Sequence, residues 1–293
     1  MAISRTKKID TAYLYVLPAV IGCLVFTIYP VVYVMYLSTL SWDLISPDKT
    51  FVGLDNYKRL LTSPEFQQVL INSATYMLVM VTVSISIALV LAVWLNKRTK
   101  LHNFVQTSIF TPHIISLVSV AMLWMWIMDP EYGLLNYILG WLGIPGLQWI
   151  DNPDTALLSV IIVGIWKVIG YNVLILIAGL QSIPSYIYES AKLDKANRVT
   201  TFFKITIPLL SPTLFFLLIV NITSSFQVFD SVRVMTQGGP VNSTNVLVHW
   251  IYQTGFEFYR IGEAATGSVL LFIIVALATF ANFKLLASKI HYQ

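Results

Sequence analysis

Charge is missing from long stretches of this chain. Residues 11–42, 66–96, 101–128, 205–229 and 264–283 contain no Asp, Glu, Lys or Arg, and residues 155–188 contain only Lys167. Crossing about 30 Å of hydrocarbon takes about 20 helical residues, so each interval is long enough for one crossing. Backbone N–H and C=O groups find no water partners in lipid and must pair within the segment, which makes helices the reading for runs this long. Transmembrane strands would be shorter and would alternate. The sequence therefore predicts an all-α polytopic membrane protein with six transmembrane helices near 13–38, 73–95, 104–128, 157–179, 208–229 and 264–284. Composition agrees: 11% of residues are charged, against roughly 25% in soluble domains. The first span is longer than a signal-peptide core and lacks a convincing cleavage site, so it is expected to remain. There is no internal repeat or low-complexity linker, and residues 1–293 read as a single transmembrane domain.

Lys and Arg beside the spans set the orientation. With the N-terminus inside, the cytoplasmic segments carry Arg5, Lys7, Lys8, Lys97, Arg98, Lys100, Lys192, Lys195, Arg198, Lys204, Lys284 and Lys289. The other side carries only Lys49, Lys58, Arg59, Arg233 and Arg260, and residues 129–154 hold four acids and no base. Both termini are thus expected in the cytoplasm. The net charge of +4 is this topology signal spread over four segments, and no nucleic-acid partner is needed to explain it.

Chemistry-bearing motifs are few. A lone Cys23 excludes an intramolecular disulfide and a cysteine metal cluster. The four histidines, His102, His113, His249 and His291, show no metal-ligand spacing. No G-x-x-x-x-G-K-[ST], H-E-x-x-H or G-x-S-x-G occurs, so no phosphate cradle, zinc site or nucleophile elbow is present. No catalytic residue and no metal site is assigned.

Against this background, residues 180–207 stand out, because Glu189, Lys192, Asp194, Lys195, Arg198 and Lys204 crowd into the cytoplasmic loop between spans four and five. Ser182 can cap a helix beginning near Pro184, with Ile183, Ile187 and Ala191 as its weakly apolar face. A break over 194–197 then precedes a second short helix, giving a helix-turn-helix at the membrane surface. Taken alone, this is also what a solvated positive-inside loop would look like.

The order Glu189-Ser190-Ala191, Asp194-Lys195-Ala196, Phe202, Ile205, Pro208 and Pro212 resembles the EAA loop of binding-protein-dependent ABC importer permeases. "FVGLDNYKRLL" (51–61), "YGLLNYILG" (132–140), "IWKVIGYNVLILIAGLQSIP" (165–184) and "TQGGPVNSTNVL" (236–247) are similar to the carbohydrate-uptake branch of those permeases. The nearest subgroup is the first permease of sugar and glycerol-3-phosphate systems. The resemblance implies an inner-membrane subunit that pairs with a second, homologous permease and with two copies of an ATP-binding subunit. ATP and Mg would be held by that ATPase and no cofactor by this chain. An extracytoplasmic binding protein would deliver a carbohydrate or polyol phosphate, passed on by alternating access. It also implies that Glu189, Ser190, Ala191, Asp194, Lys195 and Ala196 couple to the ATPase. Lys195 stands where the pattern has glycine, and if the turn needs φ > 0 it costs about 1 kcal/mol. The external Gly238-Gly239-Pro240 turn punctuates a chain leaving a helix, and the resemblance makes it a surface for the binding protein as well.

Within the spans, Asn221, Ser224, Ser225 and Gln227 interrupt span five, with Tyr171 and Asn172 in span four. Such side chains serve either as sugar contacts lining a pathway or as hydrogen-bonding glue between helices, and the sequence leaves both open. Lys167 is the one ionisable residue at span depth. It is either a functional group or a side chain snorkelling to the interface or to a helix carbonyl. His113 follows Pro112, where a kink is expected. The alternative class is an ion-coupled carrier, which commonly places acids inside the membrane. The six expected spans have none.

Overall fold

A computed structural model describes residues 7–46, 48–97 and 99–286. Arg5, Arg98 and Lys289, counted above for orientation, lie outside the described residues. Helices α1 (Lys7–Cys23) and α2 (Tyr29–Leu37), joined by a π-helical stretch over Leu24–Ile28, form the first span. Strands β1 (Leu40–Ser41) and β2 (Thr50–Phe51) pair antiparallel, Leu40 with Phe51 and Ser41 with Thr50. Helix α3 (Asp55–Thr62) precedes the second span, α4 (Pro64–Leu95). Then come α5 (Lys100–Ile114), α6 (Leu117–Ile127), α7 (Leu134–Trp141) and the fourth span, α8 (Pro153–Ser182). The loop after it contains α9 (Ser185–Leu193) and α10 (Arg198–Thr201). The fifth span is built from α11 (Ile207–Leu209), α12 (Ser211–Phe226) and α13 (Asp230–Met235), and α14 (Leu247–Tyr252) and α15 (Ile261–Leu286) complete the chain.

The second and fourth spans start well ahead of expectation because lipid compatibility and helix length are separate properties. Ser63 caps α4, its Oγ accepting from the Phe66 N–H, with Pro64 in the first turn. Asn152 caps α8 in the same way at 2.9 Å from the Asp154 N–H, ahead of Pro153. Each cap extends its helix beyond the hydrophobic run, so α4, at 32 residues, is about 48 Å long.

The expected third span is not a single helix. Helices α5 and α6 meet at 102° across Ile115 and Ser116, both outside the helical region, Ile115 in extended backbone and Ser116 at φ −53° and ψ 133°. Pro112 lies three residues before the break, and its missing N–H leaves the Ser108 carbonyl unpaired and weakens the last turn of α5. The carbonyls freed at the break are taken up by Lys167 of α8, whose ammonium donates to Ile115 O at 2.6 Å, Pro112 O at 3.2 Å and His113 O at 3.3 Å. Of the readings open for Lys167, the helix carbonyl is where its side chain goes. A cation at a helix C-terminus also complements the macrodipole. His113 stacks on Tyr171, with centroids 4.9 Å apart.

The chain divides into two compact units, residues 1–62 with 251–270, and residues 63–250 with 271–293. In the first unit, Asn56 Nδ2 of α3 donates to the Ser38 and Leu40 carbonyls, each at 2.9 Å. Ser38 Oγ meets Tyr57 Oη at 2.6 Å, and Thr266 Oγ1 of α15 donates to Ser38 O at 3.2 Å. Because α15 begins at Ile261, it brings Glu263 into its first turn, ahead of the expected start at 264. The carboxylate is largely buried between two guanidiniums, Arg59 at 2.9 Å and Arg260. In the second unit, α4, α8 and α12 pack around a core that includes Met80, Ala88, Val160, Leu176 and Leu217. The "YGLLNYILG" stretch has a structural role here. Asn136 donates to Pro130 O and Leu147 O and accepts from Leu147 N and Trp149 Nε1, closing the loop around α7.

Candidate functional site: the loop after the fourth span

The helix-turn-helix is present, with one change at its start. Ser182 is the last residue of α8 and donates to Gly179 O at 2.7 Å. It therefore does not cap the next helix. Pro184 occupies the cap position of α9 without a side-chain bond, as proline tolerates a helix entrance.

The end of α9 is a Schellman turn. The Ala196 N–H reaches Ala191 O at 2.9 Å and the Lys195 N–H reaches Lys192 O at 3.0 Å, the paired bonds that close a helix through one left-handed residue. That residue is Lys195, at φ 54°, so the lysine adopts the glycine conformation. Its Cβ strain is carried by the two turn bonds. We expect Lys195→Gly to relieve about 1 kcal/mol of this strain and to slow hydrogen exchange at the Lys195 and Ala196 amides about fivefold. Unchanged exchange would mean that the turn already tolerates lysine without cost.

Burial sorts the six coupling candidates into two groups. Ala191 is buried and Ala196 half-buried, whereas Glu189, Ser190, Asp194 and Lys195 are exposed. On α9, Tyr186, Glu189, Ser190 and Leu193 stand at i, i+3, i+4 and i+7, which is one helix face. All four are exposed, Tyr186 at 65% and Leu193 at 83%. Sequence reasoning missed Tyr186 and Leu193, although their spacing from Glu189 was readable. The opposite face, with Ile183 and Ala191, is the buried one. Two small residues of the coupling motif thus serve packing and the turn, and the outward surface is an acid flanked by two apolar side chains.

The polar residues of the spans also separate. Asn221 Nδ2 donates to Asn172 Oδ1 at 3.0 Å, Asn172 Nδ2 donates back at 3.3 Å and reaches Ser84 Oγ at 3.4 Å. Ser225 Oγ donates to Asn221 O at 2.6 Å and lies 3.2 Å from Met80 Sδ. All four polar residues are buried and join α4, α8 and α12. Such interhelical bonds average about 0.6 kcal/mol in membranes, and their larger effect is on register, since each misaligned amide would be orphaned in an apolar surround. Ser224 and Gln227 are exposed, and Tyr171 is half-buried against His113.

In the loop between α13 and α14, Gly238 is buried at φ 84° with no room for a side chain. An added Cβ would lie 2.9 Å from His249 Cε1. The loop is tied down by Asn72 Nδ2, donating to Asn242 O at 2.9 Å and Asn245 O at 3.0 Å, and by Thr244 Oγ1, donating to Gly239 O at 2.7 Å. Gly239 and Pro240 are half-buried, and the tip consists of Val241, 88% exposed, and Asn242. Val241 sits at φ 50°, a conformation that a β-branched residue keeps only when its surroundings impose it. The glycines and proline therefore shape the loop, and Val241 and Asn242 form its surface.

The model of the "binding-protein-dependent transport system inner membrane component" family matches residues 62–292. The chain is 35% identical to a probable ABC transporter permease protein, YurN, of Bacillus subtilis, over 91% of this chain and 92% of that one. It is 34% identical to the sn-glycerol-3-phosphate transport system permease protein UgpA of Agrobacterium fabrum, over 96% of each chain. It is 33% identical to the trehalose/maltose transport system permease protein MalF of Thermococcus litoralis, over 96% and 95%. Its fold is shared with a chain of a bacterial alginate ABC transporter crystallised with an alginate pentasaccharide-bound periplasmic protein, at a TM-score of 0.83, 23% identity and 98% coverage of both chains. The ordered motifs, the helical spans and a family match over most of the chain converge, and the chain belongs to the binding-protein-dependent transport system inner membrane components, as a membrane-spanning permease subunit of an ABC transporter.

Proposed function

We propose that this permease carries a carbohydrate or a glycerol-3-phosphate-like solute into the cytoplasm, receiving it from an extracytoplasmic binding protein. It would act with a second homologous permease and two ATP-binding subunits, with both of its termini in the cytoplasm. The observation that carries the coupling half of this reading is the exposed face of α9, where Tyr186 and Leu193 flank Glu189. A helix that presents apolar anchors at i and i+7 around a central charge is built to lie in a groove, and a groove with a cation at its centre is complementary to this one. ATP and Mg would bind only on the partner subunits. ATP-driven closure of those subunits would pull on α9 and so directly on α8 before it and, through the turn at Lys195, on α12 after it. The solute class rests on the names borne by the related permeases. The scarcity of cations in the spans favours an uncharged sugar over a phosphate ester: among the described residues Lys167, in the fourth span, is engaged with three carbonyls, and Arg233 stands at the end of the fifth.

The test is uptake by the complete complex in vesicles with ATP inside and ion gradients collapsed, screened over neutral oligosaccharides and glycerol phosphates. We expect ATP-dependent uptake of one sugar class and a matching rise in ATPase activity when the loaded binding protein is added. A ligand drives a two-state transporter only by its differential affinity for the two states. Loss of uptake on collapsing the gradients would point to an ion-coupled carrier and sink the proposal.

A further inference from the structure

Beside α9, on the side away from its exposed Tyr186–Glu189–Leu193 face, lies a cleft of about 360 Å³ whose lining includes Ala196 of the turn. Its walls are apolar, with Val93 from α4, Leu180 from α8 and Phe202 at the start of the π-helical stretch after α10. Its polar lining includes Lys192 of α9, Arg198 of α10 and Asn96 at the end of α4. Asn96 Oδ1 accepts from Gln181 Nε2 at 3.4 Å, which leaves its own amide N–H groups as donors. Lys192 and Arg198 are exposed, and neither has an acidic partner among the described residues.

Two features decide what such a cleft suits. Its cations and amide donors select an anion with several acceptor oxygens, the geometry of a phosphate. Its apolar walls are of no use to a free inorganic anion, but they suit a molecule that is phosphate at one end and hydrocarbon at the other. The cleft also lies where α4 and α8 end, the depth at which a membrane changes from acyl chain to headgroup. Val93 is 43% exposed at that level. Basic pockets between helix ends at the cytoplasmic face are where anionic lipid headgroups are held.

We propose that this cleft binds an anionic phospholipid of the surrounding membrane, with the phosphate held by Lys192, Arg198 and Asn96 and the glycerol and upper acyl chain against Val93, Leu180 and Phe202. The lipid would tie the α9–α10 turn to the ends of α4 and α8. The coupling loop would then move with the membrane helices as one body. The site requires only that the cleft lie at a membrane surface, and so it stands independently of the ATPase-docking reading given to the outer face of α9.

The experiment uses the purified transporter complex in a neutral detergent, titrated with phosphatidylglycerol, with phosphatidylcholine and inorganic phosphate as comparison probes, and read by native mass spectrometry. We expect retained phosphatidylglycerol adducts on this chain, few phosphatidylcholine adducts and no protection by phosphate. Lys192→Gln and Arg198→Gln should each weaken phosphatidylglycerol binding about fivefold, the effect of one basic residue near an anionic surface. Arg198→Lys should keep most of the binding, which a purely structural role for the arginine would not predict. ATPase co-purification is measured on the same samples. If both glutamine variants bind phosphatidylglycerol like the wild type, or if inorganic phosphate competes as well as the lipid, the lipid site is overturned. Loss of the ATPase with lipid binding intact would assign the two cations to the subunit interface instead, and also overturns it.

Discussion

Glu189→Lys is expected to abolish uptake while leaving the chain folded and inserted. Glu189 makes no ion pair and no side-chain hydrogen bond among the described residues, and it is exposed at the centre of the outer α9 face. Removing it therefore takes away nothing that holds this chain together. In the cation-bearing groove proposed for the ATPase, reversal of its charge would set like against like. Truncating one member of a buried interfacial charge pair typically costs 2–5 kcal/mol, and a reversal costs at least as much, so ATPase affinity should fall by about thirtyfold or more. The measurement is co-purification of the ATPase with the tagged permease, alongside uptake. Leu193→Ala tests the same face without charge and should weaken the complex by about tenfold, in keeping with loss of a fully exposed apolar anchor that becomes buried on docking. Wild-type uptake with normal co-purification in Glu189→Lys would remove Glu189 from the coupling surface.

The second large effect is expected inside the membrane, at Gly170. Helices α5 and α8 approach there so closely that an added Cβ would collide with the carbonyl oxygen of Ile109 and lie 2.8 Å from Phe110 Cα. Both are backbone atoms and cannot rotate away, so the helices must part. Three residues earlier, Lys167 caps the carbonyls of the break between α5 and α6, and a shift of α8 against α5 would break those bonds too. Overpacking alone costs about 1–3 kcal/mol, and uncapped carbonyls in a low-dielectric surround add to it. Gly170→Val should therefore sharply reduce the yield of folded complex and its thermal stability. Gly179→Ala should cost less, because its Cβ would meet the Thr213 and Leu210 side chains, which can rotate. Gly140→Ala, with nothing within 4 Å, should be neutral. If Gly170→Val were as stable as Gly140→Ala, the close approach of α5 and α8 would be refuted.

The two expectations draw on different parts of the molecule, and they divide what was readable in advance. The EAA-like order of Glu189 to Ala196 was visible as spacing along the chain. The motif does not say which members turn outward. Ala191 and Ala196 share its pattern with Glu189 and Asp194, yet Ala191 packs and Ala196 closes the turn, and the outward face adds Tyr186 and Leu193 from outside the motif. The same happened in the loop between α13 and α14. The glycines and proline caught the eye because turns need them, but Val241 and Asn242 occupy its surface.

The sequence by itself determined that the chain is helical and crosses a membrane repeatedly, because a charge-free interval of twenty residues has only one common way to satisfy its backbone in hydrocarbon. It also determined family, through motifs whose order does not depend on knowing contacts. Only the tertiary structure decided that the third apolar interval is two helices meeting at 102°, since hydropathy measures solubility in lipid and is blind to direction. Only the structure decided that Lys167 serves those freed carbonyls, and that Asn172, Asn221 and Ser225 are spent on one another, on Ser84 and on the backbone. A polar side chain on a helix offers the same donors to a sugar, a carbonyl or a neighbouring amide. Which one takes them depends on what the fold brings within 3 Å, information that no single helix contains.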